Sequence, residues 1–263
     1  MVIGVTFLVF FLMSFSKVDP AYSALGEGAS KEALDHYREV NGLNLPWGVQ
    51  YLRFLGHFLK GDLGTYGAGQ ASVSARVATA FPITIQLTLL GLIIAVVFSV
   101  IFGILAALYR DTWVDQVIRV ISIACIATPS FWLAVLLIQA FTVNVLIFPA
   151  AGKLPAFTED PGGYFMRMAM PAFALGVPVA GSLTRVIRTA MVEELDRDYV
   201  RTARGAGIPM REVVSHNVLR NALITPVTVL GLRIGYLMGG AVVIEVIFNL
   251  PGMGMAISSQ DRK

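Results

Sequence analysis

ATAFPITIQLTLLGLIIAVVFSVIFGILAALY, residues 78 to 109, contains no charged side chain. About 26 of these residues form about 39 Å of helix, enough to cross a hydrocarbon core with some tilt. So long an uncharged run reads as a membrane span. The composition agrees: 56% of the 263 residues are hydrophobic and 14% charged, and the mean hydropathy is +0.71, far above that of a soluble domain. The expected fold is an all-α, polytopic helical bundle.

Toward the C-terminus, Arg119 and Lys153 bound another uncharged run, interrupted by Pro129 and closed by Pro149. This predicts a kinked span over about 119–147, followed by a re-entrant or loop segment. Met168 to Thr184 is a third apolar stretch, expected to continue as helix past Arg185 and Arg188 over about 168–190 and to be irregular at Pro171 and Pro178. Pro226 to Phe248 is the fourth. It holds Arg233 and Glu245, charges that are costly at such depth unless they face protein or water. Gly231, Gly235 and Gly239 recur every fourth residue along it and form a helix-packing face. Glu245 is assigned a structural role.

With the clearest full span expected at about 83–108, Gln86, Thr88 and Gln139 are polar groups within the apolar runs that are candidates to line a cavity. Pro129 joins them, because a kink frees backbone groups that must find protein, water or solute. Each also fits a purely interhelical role.

Toward the N-terminus, Val2 to Phe15 is apolar but short for a span, and it lacks the basic start and small-residue cleavage site of a signal peptide. Residues 1–16 are therefore expected to be a first helix truncated at its start. Residues 17–80 mix acids, bases and glycines and are expected to form a small, mainly helical, water-exposed domain. Ser30 is placed to cap a helix over Lys31 to Val40. Tyr51, Phe54, Leu55, Phe58 and Leu59 form a helical stripe that suits core packing or a membrane surface. Residues 81–263 are the membrane core.

The net charge is +3 and the pI near 9.1, but the basic residues cluster between apolar runs, which argues for topology selection and against nucleic acid. Arg185, Arg188, Arg197, Arg201, Arg204, Arg211 and Arg220 outweigh Lys153 and Arg167 in the preceding loop. The positive-inside rule makes the Arg-rich segment cytoplasmic. Counting spans from there places the N-terminus inside, and 17–80 and 149–167 outside. The residues after Asn249 fall outside with no span to return them, so a last span is expected to be missing.

The polar insert, MVEELDRDYVRTARGAGIPMREVVSHNVLRNALITP at Met191 to Pro226, reads as a docking surface. Asp196 is placed to cap a helix through Ala206, Gly207 to end it, and Pro209 to start the next. Tyr199, Ala203 and Ala206 share one small face that permits close docking. Cys125 is a lone packing cysteine, and His36, His57 and His216 show no metal spacing, so no metal or disulfide is assigned. With no GxxxxGK[ST] stretch, the chain carries no phosphate-cradling loop of its own, and ATP falls to a partner.

RTARGAG (201–207) followed by HNVLRNALITPV (216–227) resembles the EAA-type cytoplasmic loop of binding-protein-dependent ABC transporter permeases, in the form found in the dipeptide/oligopeptide (nickel) branch. VDP (18–20), QYLRFLGHFLKGDLG (50–64) and EVIFNLPGMG (245–254) occur in the family's order. The resemblance implies a type I importer permease in a bacterial or archaeal plasma membrane. The resemblance further implies pairing with a second homologous permease, two cytoplasmic ATPases that bind ATP and Mg, and an extracytoplasmic solute-binding protein, with peptides as the cargo. It also assigns Arg201, Thr202, Ala203 and Gly207, with flanking Tyr199 and Arg211, to ATPase coupling through the 191–225 loop. The rival readings are an ion-coupled secondary transporter and an intramembrane enzyme. Neither explains the hinged loop, and the only histidine outside 17–80 is the loop's own His216.

Overall fold

The computed structural model describes residues 2–15, 19–26, 28–66, 71–149 and 152–258. Lys17, Val18, Glu27, Gly67 and Gly69 of the stretches read above, and the last five residues, lie outside these. The chain divides into two compact units, Met1–Thr79 and Ala80–Lys263.

The first unit holds α1 (Val2–Ser14), α2 (Pro20–Leu25), α3 (Lys31–Val40), α4 (Trp47–Leu59) and a minimal antiparallel pair, β1 (Thr65–Tyr66) with β2 (Ala71–Ser72). The aromatic stripe of α4 packs against apolar α1. Phe7 and Tyr51 meet edge to face at 5.4 Å, and Phe10 and Phe54 lie 5.6 Å apart, spacings at which aromatic pairs add to plain burial. The Tyr51 hydroxyl donates to the Ile3 carbonyl at 3.0 Å. Phe58 and Leu59, at the far end of the stripe, are exposed. Ser30 caps α3 as expected, accepting from the Ala33 N–H at 3.2 Å. The Asp-Pro step also has a local reason. Asp19 caps α2 by accepting the Ala21 N–H at 2.9 Å, Pro20 occupies the first turn, and the Arg38 Nε donates to the same carboxylate at 3.0 Å. That guanidinium, and then the Ala21 N–H, hold Asp19 below the usual carboxylate range.

The second unit contains most of α5 (Val73–Leu108), then α6 (Trp113–Ala127), α7 (Ser130–Leu137) with a π-helical continuation (Ile138–Asn144), α8 (Pro161–Leu195) and, after the polar insert, α12 (Ile224–Ile247) and α13 (Met253–Ser258). Among the described residues, three helices are long and apolar enough to cross a membrane, and a fourth span arises if α6 and α7 count as one broken element. The break is a 98° bend at Thr128 and Pro129, where proline removes a helical donor.

Helix α8 is the centre. It packs against α6, α7 and α12, and its Met168, Leu175, Val179 and Leu183 join Leu87, Leu237, Ile244 and Phe248 in one core. Two expectations are corrected here. The helix runs without interruption through Pro171 and Pro178, because neighbouring helices can satisfy the carbonyls that proline frees. Arg167, read as a loop residue, lies inside α8 and is only 2% exposed, with Nη2 donating to the Phe248 carbonyl at 2.6 Å.

The close helix approaches are made by glycines on α5 and α8. A Cβ on Gly176 would lie 2.5 Å from the Gly91 carbonyl oxygen, one on Gly181 2.6 Å from that of Ser122, and one on Gly103 2.7 Å from Ile187. Gly231, Gly235 and Gly239 have nothing within 4 Å. Their stripe lies on the side of α12 opposite its buried Leu237, Ala241 and Ile244, so among the described residues it packs against no helix.

Candidate functional site

The polar insert folds as two short helical pieces. The first, α9, spans Asp198–Gly205; the second runs from Met210 to Ala222 as α10 (Met210–Glu212), a π-helical turn (Val213–Val218) and α11 (Leu219–Ala222). Between them Gly207 adopts φ +80°. Its N–H reaches the Arg204 carbonyl at 3.0 Å and the next N–H, of Ile208, reaches Ala203 at 3.1 Å, the paired bonds of a Schellman stop. No atom crowds Gly207, so glycine is required there for its left-handed backbone, which costs a residue bearing a Cβ.

Two cap assignments shift. Asp196 closes α8 and accepts from Arg110 Nη1 at 2.9 Å; the turn into α9 is so tight that Arg197, with no side-chain cap, precedes the helix. Pro209 stands just before the second piece, its carbonyl accepting from Glu212 at 2.9 Å.

The insert has an inner and an outer face. Val200 is buried with Ile187, Met191, Val213 and Val218, and Tyr199 and Ala203 pack onto that cluster. The Tyr199 hydroxyl donates to Glu194 at 2.9 Å, and burial, then that carboxylate, push its phenol up. The small face that invited docking is thus turned, at Tyr199 and Ala203, onto the chain's own core, while Ala206 is exposed. Arg201, Thr202, Gly207 and Arg211 are exposed.

Beneath the insert, Arg188 grips Asp115 through two bonds of 2.6 Å, and Asp115 is fully buried. The pair joins α8 to the start of α6, and the Arg110–Asp196 bond joins the α5–α6 turn to the end of α8. Sequence reading missed this frame, because 73 residues separate the buried partners and Arg188 served there only as a topology marker.

The polar residues proposed for a path have different surroundings. Gln86 accepts from the Tyr164 hydroxyl at 2.8 Å, an interhelical bond. Thr88 is buried with its hydroxyl unpaired, Pro129 sits at the bend and Gln139 is exposed on the π-helical turn. A separate cleft of about 460 Å³ opens between α6, α8 and α12, lined by Ser182, Arg185, Thr189, Glu193 and Thr225 among others. The polar spacing of 182, 185, 189 and 193 is a helical stripe legible in the sequence. Cys125 lines a smaller, apolar cleft with Phe98, Phe102 and Phe173.

The EVIFNLPGMG segment forms a tight return. Glu245 is fully buried and accepts the Gly254 N–H at 2.7 Å. A Cβ on Gly252 would strike that carboxylate, and one on Gly254 would strike the Val242 carbonyl, so both glycines serve close approach.

Residues 99–262 match the family described as binding-protein-dependent transport system inner membrane component. The chain belongs to this family. This permease is 39% identical over 250 residues to a Brucella suis protein assigned to a peptide transport system, with 95% of this chain and 79% of that one covered. It is 36% identical over 260 residues to the glutathione transport system permease protein of Salmonella typhi, covering 98% and 82%. With a protein of Escherichia coli assigned to a D,D-dipeptide transport system it shares 34% over 273 residues, covering 96% and 80%. It is therefore a multi-pass inner-membrane permease subunit of an ABC importer, a transport component and not the ATP-hydrolysing one.

Proposed function

We propose that this permease forms, with a second homologous permease, the path for peptides handed over by a solute-binding protein, and that its 191–225 loop couples the path to two cytoplasmic ATPases that bind ATP and Mg. The observation that carries the coupling role is the two-faced insert. Its inner face is fastened to the core through Tyr199 and Val200, and its outer face presents Arg201, Thr202 and Arg211 beside the Gly207 bend. A partner pushing on such an element moves α8 with it, since Arg188–Asp115 and Arg110–Asp196 tie that end of the bundle together. Coupling then means two states that ATP and solute bind differentially.

The arginine count supports a cytoplasmic insert, with the N-terminus on the same side and 17–80 and 149–167 outside. The peptide assignment rests on the relatives' cargo and on the resemblance. It is tested by solute-stimulated ATP hydrolysis of the reconstituted assembly with peptides, nickel complexes and sugars. Stimulation by peptides is expected; stimulation by sugar alone contradicts the assignment. Docking is tested by cross-linking from Arg201→Cys, which is expected to capture an ATPase subunit and not the solute-binding protein.

A further inference from the structure

We infer that the cleft between α6, α8 and α12 is a water-filled wall of the path and that Arg233, with Arg185, forms its binding site for the carboxylate of a passing solute. The inference rests on the peptide reading for the source of that carboxylate, and on the following geometry for the site itself.

Ser182, Arg185, Thr189 and Glu193 fall at i, i+3, i+7 and i+11 of α8, one stripe about 16 Å long at 1.5 Å per residue. All four line the cleft, as does Thr225 of α12. Arg233 stands nine residues into the 24-residue α12, near mid-span, and its Nη2 donates to Ser182 Oγ at 2.9 Å. That places the guanidinium at the cleft's upper rim. Among the described residues neither Arg233 nor Arg185 has a carboxylate partner.

A cation at such depth is tolerated when it faces water or an anion, and one hydroxyl leaves most of its five donors available. Arg233 lies roughly 13 Å of helix from the first residue of α12, so an anion that reaches it from either end travels along the bundle. Glu193, the opposite charge in the cleft, sits at the far end of the stripe, where it does not compete for the guanidinium.

The test uses the assembled transporter in vesicles, with Ser182→Cys in a Cys125→Ala background, labelled by an anionic and a cationic thiosulfonate of similar size. The anionic reagent is expected to react about tenfold faster, the lower end of what a charged cleft produces. Arg233→Gln should abolish most of this preference and Arg233→Lys keep it, with co-purification of the ATPases confirming assembly in each case. Absence of labelling by either reagent, or a preference that survives Arg233→Gln, overturns the inference. Alanylalanine delivered with ATP is then expected to slow labelling, and its C-terminal amide to do so less. A charge preference with no protection by either peptide leaves the anion site standing and removes the peptide as its source.

Discussion

Helices α8 and α12 are both of span length, yet 67% of the most apolar 18 residues of α8 are buried within the chain against 17% for α12. Hydropathy runs the other way, α12 being the more apolar of the two and α5 more apolar still. In water the most apolar helix would be the core. In a bilayer the lipid is as apolar as leucine, so burial goes instead to helices that allow close backbone approach and to groups needing polar partners. Helix α8 has Gly176 and Gly181 against neighbouring carbonyls, Arg188 on Asp115, and Tyr164 on Gln86. Gly231, Gly235 and Gly239 of α12 meet open space, which fits a face reserved for another subunit.

The strongest way to break this contrast is Asp115→Ala. It strands Arg188 in a mostly buried site and is expected to cost about 3–5 kcal/mol, the loss seen when one partner of a buried pair is removed. The check is detergent-solubilised thermal unfolding, with Arg188→Met in the same chain expected to recover much of the loss. Next is Gly181→Val, whose side chain would enter the Ser122 carbonyl and Cys125; overpacking of this kind costs about 1–3 kcal/mol. The same substitution at Gly235 should change the stability of the isolated chain by less than about 1 kcal/mol, while weakening co-purification with the second permease. If Gly235→Val destabilises the chain as much as Gly181→Val does, the contrast between the two helices fails.

Local chemistry was legible in the sequence where it is short-range. Ser30 caps its helix, Pro129 marks the bend, and Gly207 ends α9 as glycine-then-proline suggests. Asp196 was misplaced because α8 runs to Leu195, leaving two residues for the turn, a tertiary choice that local pattern does not record. The prolines of α8 were overread, since their freed carbonyls are a matter of what packs nearby. The glycine register of α12 was visible, but which glycines are crowded depends on neighbours distant in sequence: Gly91 meets Gly176 and Gly181 meets Ser122. The Asp115–Arg188 and Gln86–Tyr164 pairs likewise join residues more than 70 apart, so no spacing announces them. The stripe of Ser182, Arg185, Thr189 and Glu193 was legible as a spacing, but its link to Arg233 emerges only when α12 brings that residue beside Ser182.

The most direct measurement is ATP-dependent transport by the reconstituted assembly carrying Gly207→Val. A β-branched residue cannot hold the left-handed bend without strain, and among the described residues no atom lies within 4 Å of where its Cβ would stand. The expected result is normal membrane insertion and pairing with the second permease, with transport and ATPase co-purification both sharply reduced. Transport at the unaltered rate would contradict the proposal that the Gly207 bend couples this permease to its ATPases.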